Sequence, residues 1–173
     1  MLKSAVTSHH YSLRRNLKLL VIVCVMPAAL VSATMESALK ILATANELSA
    51  GDLRSFHQRA VEALAPGMAR NYIVTDRAGR QVLNTLQPYG VALPTVGTPP
   101  QMAHVFTDHA TVLTDMFTGQ LTQLPAIALG VPVEVRKQIA YSLNMGLDPR
   151  RITAILNRQQ LPKGWLAAVS DSS

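Results

Sequence analysis

Cysteine is nearly absent from this chain. Cys24 is the only one in 173 residues, and it lies inside an apolar run. Everything after that run is cysteine-free, which excludes a disulfide framework and any Cys-ligated metal there. Charge is scarce too: 15% of residues are charged and 49% are hydrophobic. That composition suits a packed core and argues against disorder. The length allows one ordinary domain plus an appendage. The formal net charge is +6, of which Lys3, Arg14, Arg15 and Lys18 supply +4 before the apolar run, with no acid among them. A basic excess gathered on a flank, rather than on a folded face, does not describe a nucleic-acid-binding surface, and no nucleic-acid partner is expected.

Catalytic signatures are missing as well. There is no Gly-x-Ser-x-Gly elbow, and Gly90-Val91-Ala92-Leu93-Pro94 is no phosphate cradle. His9 and His10 precede the apolar run, His57 stands alone on a helical segment, and His104 and His109 are five apart, off the spacing of a helical metal pair. No metal, cofactor or catalytic residue is expected, and the chain is not expected to be an enzyme; against an enzyme of unrecognised type only this absence speaks. Autokinase chemistry would need a site for nucleotide phosphates and Mg²⁺, and the 18 residues ahead of the apolar run are too few to fold one.

What is present begins with "SLRRNLKLLVIVCVMPAALVSATMES", Ser12 to Ser37. Its apolar part, Leu19 to Met35, runs 17 residues without a charge, the short end for a membrane-spanning helix. Pro27 near the middle is tolerated better in a membrane helix than in water. The preceding bases put the N-terminus in the cytoplasm and the remainder outside. The rival reading is a signal peptide. Val31-Ser32-Ala33 has the small residues of a cleavage site, and Arg14-Arg15 loosely resembles a twin-arginine signal. A buried helix of a soluble fold is a third reading. The retained anchor is favoured because Met35 to Leu48 continues as helix-forming sequence without a break. The expected organisation is a cytoplasmic basic stub (1–18), a transmembrane helix or uncleaved signal anchor (19–35) and a periplasmic domain (36–173).

Past the anchor, Met35, Leu39, Leu42, Ala45 and Leu48 form one helical stripe. Gly51 can end that helix and Asp52 can cap the next, which carries Leu53, Phe56, Ala60, Val61 and Leu64 on one face until Pro66-Gly67. Tyr72–Thr75 and Gln81–Leu86 read as a hairpin around Asp76-Arg77-Ala78-Gly79, with Asp first and Gly fourth in a type I turn. A Pro/Gly-rich loop, Pro88–Pro100, leads to a short helix over Gln101–His109. Three strands follow: Thr111–Phe117, Ile127–Val135 and Gln138–Met145. In the last, Ile139, Tyr141, Leu143 and Met145 alternate with Ala140, Ser142, Asn144 and Gly146, the pattern of a half-buried antiparallel strand. Asp148-Pro149 opens a helix bearing Ile152, Ile155 and Leu156, and Trp165–Val169 is a final strand. The class is α+β with an antiparallel sheet.

Helices leaving an anchor, then "IVTDRAGRQVLNTL", a loop, strands ending "YSLNMGLDPRRITAIL" and "LPKGWLAAVSD" resemble the extracytoplasmic Cache (PAS-like) sensor domain of bacterial receptors, in particular the first module of double-Cache sensors on histidine kinases. The resemblance covers nearly all of Leu13 to Asp171. It implies a five-stranded antiparallel sheet packed on a long N-terminal helix that continues from the membrane helix. It further implies sensing of a small molecule outside the inner membrane of a bacterium, and signalling as a homodimer, here through the membrane-proximal stripe. Two features depart from the pattern. The turn between the fourth and fifth strands, where Asp-Gly is usual, reads Glu134-Val135-Arg136-Lys137. No second apolar span, phosphoacceptor helix or ATP-binding segment appears before Ser173, so the chain is expected to be a truncated receptor or a stand-alone anchored sensor. The alternative function is a secreted or periplasmic binding protein released by cleavage near Ala33.

A ligand pocket needs a few polar groups in an apolar lining. Arg80, Asn84, Tyr89, Asp115, Tyr141 and Asn144 are the residues that could supply them by chemistry and placement. Arg80 could hold a carboxylate bidentately, or stand in solvent beyond its turn. Asp115 could merely cap a strand end, and Tyr141 could be core. Asn144, among Ala140, Ser142 and Gly146, lies on a face that either packs under a helix or lines a pocket.

Overall fold

The computed structural model describes residues 33–64, 69–95 and 98–150. The expected span, apart from residues 33–35, the stop at Pro66-Gly67, the helix with Ile152, Ile155 and Leu156, and the strand Trp165–Val169 lie outside the described residues. Among those described, no helix is long and apolar enough to cross a membrane.

The chain enters as helix α1 (33–43). The helical stripe was expected to run on to Leu48, but it breaks at Thr44-Ala45. The Thr44 hydroxyl donates to the Ile41 carbonyl at 2.8 Å, a local bond that competes with the helical ladder, and Ala45 is extended. Helix α2 (Asn46–Ala50) ends on Gly51, whose φ of 76° lets its N–H turn back to the Glu47 and Leu48 carbonyls, a conformation that favours glycine. Asp52 then caps helix α3 (Leu53–Glu62), accepting from the Ser55 N–H at 3.1 Å. Both signals were legible in the sequence.

The hairpin follows as β1 (Asn71–Asp76) and β2 (Gln81–Asn84). Asp76 closes its turn: its carbonyl accepts from Gly79 N–H at 2.9 Å, and its carboxylate accepts from Ala78 and Arg80 N–H. A 3₁₀ turn (Pro100–Ala103) and helix α4 (His104–Thr107) replace the single short helix expected. The strand read over Thr111–Phe117 is two fragments, β3 (Val112–Leu113) and β4 (Phe117–Thr118). Between them the Thr114 N–H still donates to the Ala128 carbonyl, but Ala128 N–H donates to the Thr114 hydroxyl in place of its carbonyl, and Asp115 accepts from the Gln101 amide. The long strands are β5 (Pro125–Val135) and β6 (Gln138–Leu147).

The sheet is antiparallel with strand order β2-β1-β6-β5-β3, and β4 pairs with β5 beyond that path. A five-stranded antiparallel path is what the sequence led us to expect, and the two-residue β4 adds a sixth strand to it. One face carries the main core: Tyr72, Val74, Leu83, Val131, Val133, Leu143 and Met145 pack against Leu39, Leu48, Phe56 and Ala60 of the helices. Leu39, Leu48 and Phe56 are fully buried. The stripe proposed as a dimer contact is thus turned toward its own sheet, and Val61, expected on the buried side of α3, is exposed.

A candidate ligand-binding face

The other sheet face is set by strand alternation. Residues directly opposite each other in antiparallel strands project to the same side. Asn84, Ile73, Asn144 and Gly130 form one such row across β2, β1, β6 and β5. Asn71, Gly146 and Ala128 form the next, and Thr75, Ser142 and Pro132 another. This face is therefore small, amide-bearing and hydroxyl-bearing, where the helix-side face is apolar and bulky.

Its polar groups form two networks. On one side the Asn71 amide donates to Asn84 Oδ1 at 2.9 Å, the Asn84 amide donates to Gln81 Oε1 at 2.9 Å, and Leu86 N–H reaches Asn84 Oδ1 at 3.1 Å. On the other, Ser142 Oγ donates to Asn144 Oδ1 at 2.6 Å, and the Asn144 amide donates to Thr75 Oγ1 at 3.2 Å and to the Ser142 carbonyl at 3.3 Å. Asn71, Thr75, Asn84, Ser142 and Asn144 are all buried. A buried amide must find partners or lose the free energy of its hydration, and these have found them in one another. Asn84 and Asn144 flank Ile73, two strand spacings or roughly 10 Å apart.

A cover lies over this face. Met102 and Val105, from the 3₁₀ turn and α4, pack on Ala128 with Phe106, Val112 and Phe117. Gly130 makes room for it: a Cβ there would come within 2.5 Å of Asn144 Oδ1 and 2.6 Å of Met102 Sδ. At Gly146 a Cβ would run into the Asn71 side-chain oxygen. Beside that cover, between the face and the segment Phe117 to Thr122, remains a cleft of about 40 Å³ bordered by Asn71, Ile73, Asn84, Leu86 and Phe117. That suffices for water but is far below the size of an ordinary ligand pocket. A ligand on this face must displace the cover or the loop after Phe117. The charge nearest this cleft is Arg70 at its rim, and its guanidinium is paired with Asp148 at 3.1 Å. Recognition on this face would run through neutral hydrogen bonds.

The six candidate residues separate. Asn84 and Asn144 share the face. Asp115 belongs to the cover, where it holds Gln101 beside Met102. Tyr141 points to the helix side and packs against the main core. Arg80 sits at the turn, bonded to Asp76 through Nε at 2.8 Å. Tyr89 lies beyond β2, with His57 edge-on at 6.0 Å and the Arg54 guanidinium 5.1 Å from its ring centre. Asn71, Thr75 and Ser142 were not singled out from the sequence. Their signal was alternation: Asn71, Ile73 and Thr75 interleave with Tyr72 and Val74. Among the described residues, no group of three or more His, Cys, Asp or Glu could hold a metal ion.

Solved structures carry the same fold. An extracellular ligand-binding receptor from Desulfohalobium retbaense superposes with a TM-score of 0.64 at 16% identity, covering 82% of this chain and 26% of that one. The sensory domain of the Campylobacter jejuni chemoreceptor Tlp3, with isoleucine bound, gives 0.61 at 10% identity over 86% and 64%. The ligand-binding domain of the Pseudomonas aeruginosa amino-acid chemoreceptor PctC, in complex with GABA, gives 0.51 at 18% over 75% and 60%. No family model matches the chain, and no curated protein does. The fold is that of Cache-type extracytoplasmic sensor domains. The chain spans only 26 to 64% of the length of these three proteins.

Proposed function

We propose that this chain is the small-molecule input module of a bacterial membrane receptor. Residues 19–35 anchor it in the inner membrane with the N-terminus in the cytoplasm, and the domain from residue 36 stands on the outer side. The ligand lies on the Asn84–Asn144 face beneath Met102, and the signal leaves through α1 toward the membrane, to a transmitter of the histidine-kinase kind. The module performs no catalysis itself. The observation that carries this reading is the buried, uncharged amide-and-hydroxyl face on a fold otherwise seen in ligand-binding sensor domains. Proteins of this fold bind isoleucine and GABA, so compounds of that size with several hydrogen-bonding groups are the first to try. Dimerisation remains part of the proposal. Since Leu39 and Leu48 serve the core, the contact would use the outer side of α1, where Ile41 is 73% exposed.

The test is a thermal-shift screen of the full chain in lipid nanodiscs against amino acids and small carboxylic acids. A ligand that binds only the folded state raises its midpoint. The expected result is a concentration-dependent rise, abolished in Asn144→Ala. A panel without any rise would overturn the ligand-sensing reading, and recovery of a soluble form beginning near Thr34 would overturn the anchor.

A further inference from the structure

We propose that the end of the domain where α1 begins is a lipid-contact surface, seated in the headgroup layer of the bilayer. The inference rests on the anchored reading of residues 19–35. Its structural part is a cleft of about 410 Å³ lined by Met35, Glu36, Thr111, Leu113, Leu129 and Leu147. Met35, the last residue of the apolar run, is itself in that lining. Leu39, one turn further on, is fully buried against the domain's own core. Four helical residues rise about 6 Å, so there is no free stalk between the run and the domain. The headgroup layer on each side of a bilayer is roughly 5–7 Å deep. The cleft therefore lies at headgroup depth.

The surface has the matching chemistry. Leu113, at the sheet edge opposite Leu129, is 59% exposed. Leu124 is exposed beside Pro125, whose carbonyl accepts from Arg70, so it stands at the same end of the sheet as the Arg70–Asp148 pair. Arg150, whose guanidinium is bonded to Asp148 but 82% exposed, offers a cation to lipid phosphate there. The one acid in the cleft, Glu36, is paired with Lys40 at 2.6 Å and accepts from the Thr111 hydroxyl. A further argument comes from length. Seventeen residues would reach about 26 Å as an α-helix, short of the roughly 30 Å hydrocarbon layer. A short span draws its flanking residues toward the bilayer, and Met35 with the open Leu113 cleft supplies apolar surface at that point.

The test places a fluorophore on a cysteine in a Cys24→Ser background, at Leu113→Cys or at Gln138→Cys. Both sites are exposed; Leu113 is level with Met145 through Leu129, so Gln138, at the other end of β6, is about 23 Å away along the strand. The full chain is reconstituted in vesicles of phosphatidylethanolamine and phosphatidylglycerol containing a headgroup spin-labelled lipid. The expected result is several-fold stronger quenching at position 113 than at 138. Equal, weak quenching at both with the chain still in the vesicle fraction would overturn the lipid contact and leave the anchor standing. A chain that does not sediment with vesicles would overturn both.

Discussion

The two faces of the sheet come from the same strands, yet they are built to different ends. On the helix side Val74, Val131, Leu143 and Met145 meet Leu39, Leu48 and Phe56, with nothing polar to satisfy. On the other side β1 and β6 present Asn71, Thr75, Ser142 and Asn144, and β5 contributes Ala128 and Gly130. The first face gains stability from area removed from water. The second gains little that way and must keep every amide paired. A domain with one core would not need the second arrangement, since replacing a paired polar cluster by apolar residues of the same shape can be nearly neutral. The contrast is between an apolar face packed on the helices and a face whose buried amides and hydroxyls pair with one another.

Substitutions should break the two faces differently. Phe56→Ala removes a fully buried ring from the helix side, and the expected loss is about 4 kcal/mol, read as a lower urea midpoint at unchanged slope. A loss under about 1 kcal/mol would mean that α3 does not close the core. Asn144→Ala strands the Ser142 and Thr75 hydroxyls and should cost about 2 kcal/mol. The comparison sharpens when ligand is added. Phe56→Ala should keep the ligand-induced rise in midpoint from a lower base, whereas Asn144→Ala should lose it. If both variants keep it, the ligand lies elsewhere. Gly130→Ala should cost about as much as Asn144→Ala by overpacking, about 1–3 kcal/mol, since Met102 can yield but Asn144 is held by its bonds.

The helix-side face was largely legible in the sequence because it follows simple periods. Leu143 and Met145 alternate at period two, Leu39 and Phe56 fall on helical stripes, and Gly51 and Asp52 punctuate the helices as their chemistry demands. The polar face was half legible. Asn144 could be found because its whole strand alternates. Asn71 was hidden at a strand start, and its link to Asn84 spans a hairpin whose register no local pattern states. Met102 falls within the segment read as a short helix over Gln101–His109, and only the fold brings it over Gly130. The break at Thr44 depends on one hydroxyl turning back on its own helix, which a stripe of apolar residues cannot reveal.

Both faces hang on the β5–β6 hairpin, so its turn offers a perturbation that should move them together. Arg136 and Lys137 occupy the two central positions with φ of 51° and 65°. A two-residue turn with both φ positive is the primed type that suits the twist of the strands, and it is normally made by Asn-Gly. Side-chain-bearing residues held there are strained. The pair was conspicuous in the sequence only as a missing Asp-Gly. Replacing it by Arg136→Asn with Lys137→Gly should raise stability by about 1 kcal/mol. Ligand response should be unchanged, because neither face is touched. A loss of stability would show that the two cations make contacts worth more than the strain.

The smallest effect is expected at Asp148, which follows the end of β6 and pairs with Arg70 ahead of β1. Hydrogen bonds from the Arg150 guanidinium, and then from Arg70, hold its carboxyl far below the ordinary aspartate range. An unfolded aspartate titrates near 3.9. Between that value and the depressed folded one, the folded state binds fewer protons than the unfolded chain. The contribution is therefore fully present above about pH 4 and is lost as pH falls toward the folded value. Asp148→Asn should lower the urea midpoint slightly at pH 7, with the gap to the parent chain constant down to about pH 5 and narrowing below it. The gap should also shrink with added salt, because Arg150 stands in solvent and exposed ion pairs are screened. The absence of any gap, from pH 7 down to pH 3, would mean that Asp148 acts through the Arg150 backbone N–H it accepts at 3.0 Å, a bond that asparagine could replace, and not through its charge.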